Sequence, residues 1–141
     1  MVKLIIVSIF LSTFVFAQLS RDGQRDVVVD SEENLMWQDD SSVKTTKRDW
    51  EGAKRYCRNL SFAGYSDWRL PKRMELLSIV DRSTYEPAIK KEFKNVVSKD
   101  YWSSTPDASD GSGAWGVYFG NGYDLWYNKS NSHFVRCVRD R

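Results

Sequence analysis

The sequence predicts an α+β domain, on three observations. Residues 25–38 hold two short extended runs of β-branched and apolar residues around a polar turn. Between residues 46 and 81, apolar residues recur at spacings of three and four, the period of an amphipathic helix. From Tyr101 onward, aromatic-rich runs alternate with Gly, Asn and Ser turns, the pattern of a small, twisted, mostly antiparallel sheet. The expected architecture is an N-terminal hairpin followed by two helices packed on that sheet.

The first residues read as a targeting segment. Met1-Val2-Lys3 is a short positive start, and Leu4 to Ala17 is uncharged and mostly apolar. Val15-Phe16-Ala17 places small residues where a signal peptidase reads them. Residues 1–17 are therefore expected to be a signal peptide cleaved before Gln18, and residues 18–141 a single domain. The apolar run falls short of the roughly 20 residues of a membrane span, and no cysteine follows it to carry a lipid. The expected location is secreted or periplasmic, with association to the cell surface left open.

Charge narrows the partners. The chain carries 21 Lys and Arg against 19 Asp and Glu, a net charge of +2. A nucleic-acid surface would show a strong basic excess, so none is expected. Lys47-Arg48, Lys72-Arg73 and Lys90-Lys91 read as solvated faces. Two cysteines, Cys57 and Cys137, in an exported chain read as a disulfide. Closing a loop of about 80 residues is worth roughly 4–5 kcal/mol at most in the chain-entropy picture. Zinc binding by these cysteines with the distant His133 matches no zinc-site spacing.

Taken in order, Arg25–Asp30 and Leu35–Gln38 form the hairpin, turning at Ser31–Asn34. Thr46 reads as the cap of the first helix, with Asp49 three residues on. Trp50, Ala53, Cys57 and Leu60 share one face of that helix, so Cys57 points inward. Gly52 weakens it by up to about 1 kcal/mol relative to alanine. After the break at Gly64-Tyr65-Ser66 comes Asp67-Trp68-Arg69-Leu70-Pro71. Pro71 suits a first helical position and holds Leu70 extended, so Trp68 and Leu70 face one way and Arg69 the other. The second helix is expected over Pro71–Asp81 with Met74, Leu77 and Ile79 or Val80 buried, and Pro87–Phe93 as a short helical turn. Strands follow at Tyr101–Thr105, Ala114–Phe119, Tyr123–Tyr127 and His133–Arg139, with a mobile loop at Pro106–Gly113 and a tight turn at Gly120-Asn121-Gly122. Trp115, Val117 and Phe119 share a face, and the first and last strands are within reach of pairing.

Six landmarks in this order resemble the Lcl C-terminal domain family. They are Leu35-Met36-Trp37-Gln38; Trp50 with Ala53, Tyr56, Cys57 and Leu60; Trp68-Arg69-Leu70-Pro71 with Glu75-Leu76; Tyr101-Trp102-Ser103-Ser104-Thr105; Val117 with Phe119 and Gly122; and Val135-Arg136-Cys137-Val138-Arg139. The resemblance implies a C-type-lectin-like fold related to the formylglycine-generating-enzyme domain. It implies export, frequent attachment to bacterial surfaces and, for some members, adhesion to sulfated polysaccharides. Asn34 stands where a turn glycine is usual, a position asparagine tolerates at positive φ. Lys72 stands where a capping Thr or Ser is common, so the second helix is expected to fray at its start. The chain has no collagen-like repeat.

Among six tryptophans, Trp50, Trp68, Trp102 and Trp115 lie in core-like contexts, where large aromatics dominate packing. Trp126 sits with Tyr123, Tyr127, Asn128 and Lys129 beside a turn. Aromatic faces with amide and charged groups suit a polar, ring-shaped ligand, and these five are the candidate ligand-binding residues, with the Asp107–Gly113 loop beside them. Arg69, Arg136 and Arg139 suit either an anionic ligand or fixed pairing with carboxylates such as Asp67 and Glu75, and pairing is the favoured reading. Trp68, Arg69, Leu70, Pro71, Glu75, Trp102, Arg136 and Arg139 form the structural signature. Asp107, Asp110 and Asn121 are a weak set for calcium, which takes more oxygen ligands, and no cofactor is expected. His133 belongs to no triad-like arrangement and reads as a surface or strand-edge residue. A formylglycine-generating-type oxidase needs a reactive late cysteine, and a bridged Cys137 is no nucleophile. The expected protein is therefore no enzyme but an exported binding module for a polysaccharide or cell-surface component, the alternative being an assembly protein that binds an envelope protein.

Overall fold

The computed structural model describes residues 5–11 and 18–141. The expected signal cleavage site at residues 15–17 lies outside the described residues.

The N-terminal residues build one antiparallel sheet from β1 (Leu19–Asp22), β2 (Val27–Asp30) and β3 (Leu35–Gln38). The expected hairpin is β2–β3, in register Val28↔Trp37 and Asp30↔Leu35. Its turn is fixed by Asp30, whose Oδ1 accepts the N–H groups of Glu32 and Glu33 at 3.0 Å each. Asn34 takes φ 53° there, the left-handed conformation that asparagine tolerates. The β1 strand was not legible in Leu-Ser-Arg-Asp, because only Leu19 is buried and alternation has nothing to act on.

Lys47–Arg48 form the short strand β4. That pairing pulls the start of the first helix forward, so α1 spans Trp50–Arg58 and its cap is Asp49, not Thr46. Asp49 Oδ1 accepts the Gly52 N–H at 2.7 Å. A Cβ on Gly52 would stand 2.7 Å from that oxygen, so the helix-weakening glycine is what makes room for the cap. Trp50, Ala53 and Cys57 are buried as expected.

The second helix, α2, spans only Arg73–Ser78, not Pro71–Asp81. Pro71 remains extended, its carbonyl accepting the Ser104 N–H at 2.7 Å. The later start rotates the buried face: Leu76 and Ile79 enter the core, while Met74 is 72% exposed. Nor does the helix start fray at Lys72. Glu75 Oε1 accepts the Lys72 N–H at 2.7 Å, and Thr105 Oγ1 accepts that of Arg73 at 3.0 Å. Pro87–Phe93 is not helical; Ile89 bridges Val80, and the Ala88 N–H reaches the Phe119 carbonyl.

The C-terminal part adds β5 (Asp100–Pro106), β6 (Gly113–Tyr118), β7 (Tyr123–Asn128), β8 (His133–Phe134) and β9 (Val138–Asp140). There are two sheets rather than one. The first has the order β1-β2-β3-β9, the second β4-β8-β5-β6-β7. All pairings are antiparallel except β5 with β8. The expected last strand, His133–Arg139, breaks into β8 and β9 because Val135-Arg136-Cys137 crosses between the sheets. Each crossing residue is anchored. Arg136 Nη1 donates to Asp39 Oδ1 at 3.0 Å, with both side chains fully buried. Cys137 is bonded to Cys57, with Cα atoms 5.5 Å apart. As a result β9 pairs with β3, and not with the first strand of the hairpin.

Two apolar clusters fill the interior. Trp37, Leu76, Ile79, Tyr101, Val117 and Phe119 lie in one, and Trp50, Cys57, Trp68, Leu70, Trp102 and Cys137 in the other. Leu70 and Trp68 thus point inward. Arg69 faces the other way, with Nη1 and Nη2 on Glu75 at 2.7 and 2.8 Å and Nη2 also on Asp140 at 2.8 Å. Arg139 donates to Asp67 at 2.7 Å and stacks 3.7 Å from the centre of the Tyr65 ring. Each arginine of the signature is therefore paired with a carboxylate, the role for which the guanidinium fork is suited.

Candidate functional site

The strand β7 closes one side of the second sheet, in unbroken register with β6 from Gly113↔Asn128 to Tyr118↔Tyr123. Its apolar residues are unusually open for a folded segment: Tyr123 is 59% exposed, Leu125 46% and Trp126 39%. A contiguous exposed apolar patch of this kind often marks an interaction site.

Strand alternation separates the five candidate residues. Trp126 and Asn128 lie on the face that also bears Trp115 and Asp124. There the Trp126 indole lies against Gly113, where a Cβ would come within 1.9 Å of the ring; only glycine admits this approach. Beside it, the Arg73 guanidinium stacks 3.7 Å from the centre of the Trp115 ring and pairs with Asp124 at 2.5 Å. The sequence groups Arg73 with Lys72 as a solvated charge. No sequence spacing ties it to residues 42 and 51 positions away, so nothing local could have found it.

Tyr127 points to the opposite face. Its hydroxyl donates to the Asp100 carboxylate, and its ring meets Trp102 edge-on at 5.9 Å. Burial, together with that carboxylate, pushes the phenol well above its ordinary range. His133 belongs to the same cluster. Its ring lies 4.8 Å from Trp102 and 4.3 Å from Tyr127, with Nδ1 4.0 Å from Asp100. It is therefore a packed residue, not a surface one. Burial lowers its pKa against the opposing pull of Asp100.

Tyr123 stands at the far end of β7, with the Arg82 guanidinium 5.6 Å from its ring centre. Lys129 lies beyond the other end. Its ammonium reaches the Gly111 carbonyl at 2.8 Å and sits 4.3 Å from the centre of the Trp50 ring. Lys129 thus ties the Asp107–Gly113 loop to α1. Asn128 Oδ1 accepts both the N–H and the hydroxyl of Ser130, which leaves its amide NH2 group as a donor. The structure brings Trp126 and Asn128 together with Arg73, Trp115 and Asp124; Tyr127 and Lys129 support the strand from behind and from its end.

The Asp107–Gly113 loop is braced from within. Asp107 Oδ1 and Asp110 Oδ1 each accept from the serine two residues on. Asn121 Oδ1 likewise accepts the Tyr123 N–H. Among the described residues, no group of three or more His, Cys, Asp or Glu side chains is placed to hold a metal ion. No described helix is long and apolar enough to cross a membrane.

Two helices packed against two small sheets, pinned by one disulfide, define an α+β domain consistent with the C-type-lectin-like fold. The Lcl C-terminal domain family matches residues 26–139, and the chain belongs to that family. The match covers β2 through most of β9 and includes all six landmarks. No curated protein matches the chain.

Proposed function

We propose that this domain is an exported, non-catalytic binding module that recognises a polysaccharide or another cell-surface component. The observation that carries the reading is the exposed aromatic face of β7. Trp126 offers an open indole face, and the Asn128 amide and the Arg73–Asp124 pair stand beside it as polar groups for hydroxyl or acidic substituents. This is the combination of flat apolar surface and a few fixed polar groups that a sugar ring requires. Of Tyr123, Trp126, Tyr127, Asn128 and Lys129, the proposed contacts are Trp126 and Asn128; Tyr123 stands at the far end of the strand, and Tyr127 and Lys129 hold the strand in place.

Membership of a family not known as catalytic supports the non-enzymatic reading. So does the bridging of Cys57 to Cys137, which removes the thiol that formylglycine-generating chemistry would use. The same bridge supports a secreted or periplasmic location, where disulfides persist. Recognition in this proposal needs no calcium. The second reading, an assembly protein that binds an envelope protein, draws on the same open strand.

The test is binding of the oxidised protein to a broad glycan panel that includes sulfated polysaccharides, first with calcium and then with a chelator. A specific, chelator-resistant signal is expected. Silence across the panel, with stable capture of an envelope protein, would overturn the polysaccharide reading in favour of the second.

A further inference from the structure

We infer that β7 is a self-pairing edge: two copies of this chain join β7 to β7 antiparallel across a two-fold axis at Trp126. The inference goes beyond the binding proposal and does not depend on what the ligand is.

The backbone of β7 is free to pair. The Lys129 N–H bonds to the Ser112 carbonyl, and the Asp107 N–H to that of Gly113. With the β6–β7 register, these bonds fix the alternation. Tyr123, Leu125 and Tyr127 bond to β6, while the N–H and C=O groups of Asp124 and Trp126 and the N–H of Asn128 point away from it. No described strand lies beyond them. The Trp126 indole leans back over Gly113 and does not cover this edge.

The other sheet edges are protected in the ways that natural proteins use. The β4 edge is two basic residues long. Arg69 covers β9, exchanging backbone hydrogen bonds with Val138 at 2.8 and 2.9 Å. The β1 edge carries Arg21 and Asp22. By contrast, β7 has six residues without a bulge, proline or lysine. Its one charge, Asp124, is already paired with Arg73.

The strand is also complementary to itself in one register. Centring the pair on Trp126 sets Asp124 opposite Asn128 of the second copy, where the free amide NH2 group of Asn128 can donate to the carboxylate. Leu125 then meets Tyr127 on the other face, and no like charges oppose each other. Outward-pointing residues face each other throughout, so about four backbone hydrogen bonds form across the axis, two between the Trp126 residues and one from each Asn128 N–H to the opposite Asp124 carbonyl. Shifting the axis to Leu125 would set Asp124 against Trp126 and lose this match. The paired form is a ten-stranded sheet with two indole faces still open on one side. An interface of a single strand pair lies at the low end of specific interfaces, below about 1,200 Å², so the association is concentration-dependent.

Sedimentation analysis of the oxidised protein, as processed on export, tests this over a wide concentration range. The wild type should pass from monomer to dimer. Trp126→Lys and Trp126→Glu, each placing like charges on the axis, should stay monomeric alone and dimerise when mixed. Asn128→Asp keeps the oxygen acceptors used by Ser130 but opposes two pairs of carboxylates, and should weaken self-association about tenfold. It serves if the Trp126 variants do not fold. A wild type that stays monomeric throughout, or dimers that persist unchanged in Asn128→Asp or in either charged variant alone, would overturn the inference. None of these outcomes requires a glycan, so failure here is distinct from failure of the binding proposal.

Discussion

The Trp126 indole lies against Gly113, so close that a Cβ on residue 113 would stand 1.9 Å from two atoms of its ring. The most exposed tryptophan of the domain is thus held by the one residue type with no side chain. Gly113 and Asn128 are paired in register, so the ring is carried diagonally across two strands. This seats the indole while leaving the residue 39% exposed.

Gly113→Ala should therefore push the indole off the sheet. The cost to stability is expected at about 1 kcal/mol, the low end for overpacking, because the ring can swing into solvent. Denaturant unfolding would measure it. Acrylamide quenching of tryptophan fluorescence should rise, since Trp37, Trp50, Trp68 and Trp102 are buried and unaffected.

The Cys57–Cys137 bridge joins α1 to the segment that passes between the two sheets. Its removal by Cys57→Ser with Cys137→Ser should cost about 2–5 kcal/mol. Urea unfolding of the wild type with and without reductant, set beside the double variant, checks this. Reduced wild type and the variant should coincide.

Glu75 links acid stability to the Trp68–Glu75 segment. Burial alone would raise its carboxyl pKa. The hydrogen bonds from Arg69 and from the Lys72 N–H outweigh burial and hold it below the ordinary value of 4.5. A carboxyl whose pKa is lower in the folded state binds protons more readily when unfolded. Its contribution is therefore present above about pH 4.5 and lost as pH falls through the folded value. Glu75→Gln should destabilise by about 1–3 kcal/mol at pH 7, the worth of a charged hydrogen bond. The gap between variant and wild type should narrow as the pH is taken below 4. Urea midpoints across this pH range provide the measurement.

The elements set by local chemistry were legible in the chain. The β-branched run of Val27–Asp30, the apolar run of Leu35–Gln38, the stripe of Trp50, Ala53 and Cys57, and the turn at Gly120-Asn121-Gly122 each need only neighbouring residues. The count of two cysteines was enough for the bridge. What escaped depends on distant partners. The cap of α1 moved to Asp49 because β8 recruits Lys47 and Arg48. The last strand broke because Arg136 is drawn to a buried Asp39, which lies 97 residues away. His133 is packed against Trp102 and Tyr127 and half-buried, by aromatics that spacing alone does not bring to it. For the site, composition pointed to β7, and the fold showed that alternation divides its residues between two faces and adds Arg73 and Trp115 to the open one.

The most direct test of the account is a titration of the strongest panel ligand into wild type, Trp126→Ala and Tyr85→Ala. Tyr85 is an exposed aromatic outside β7 and controls for non-specific stacking. The account predicts affinity reduced at least about tenfold in Trp126→Ala, the loss of roughly 1.4 kcal/mol, and unchanged in Tyr85→Ala. Equal affinity in Trp126→Ala and wild type would contradict the assignment of recognition to β7.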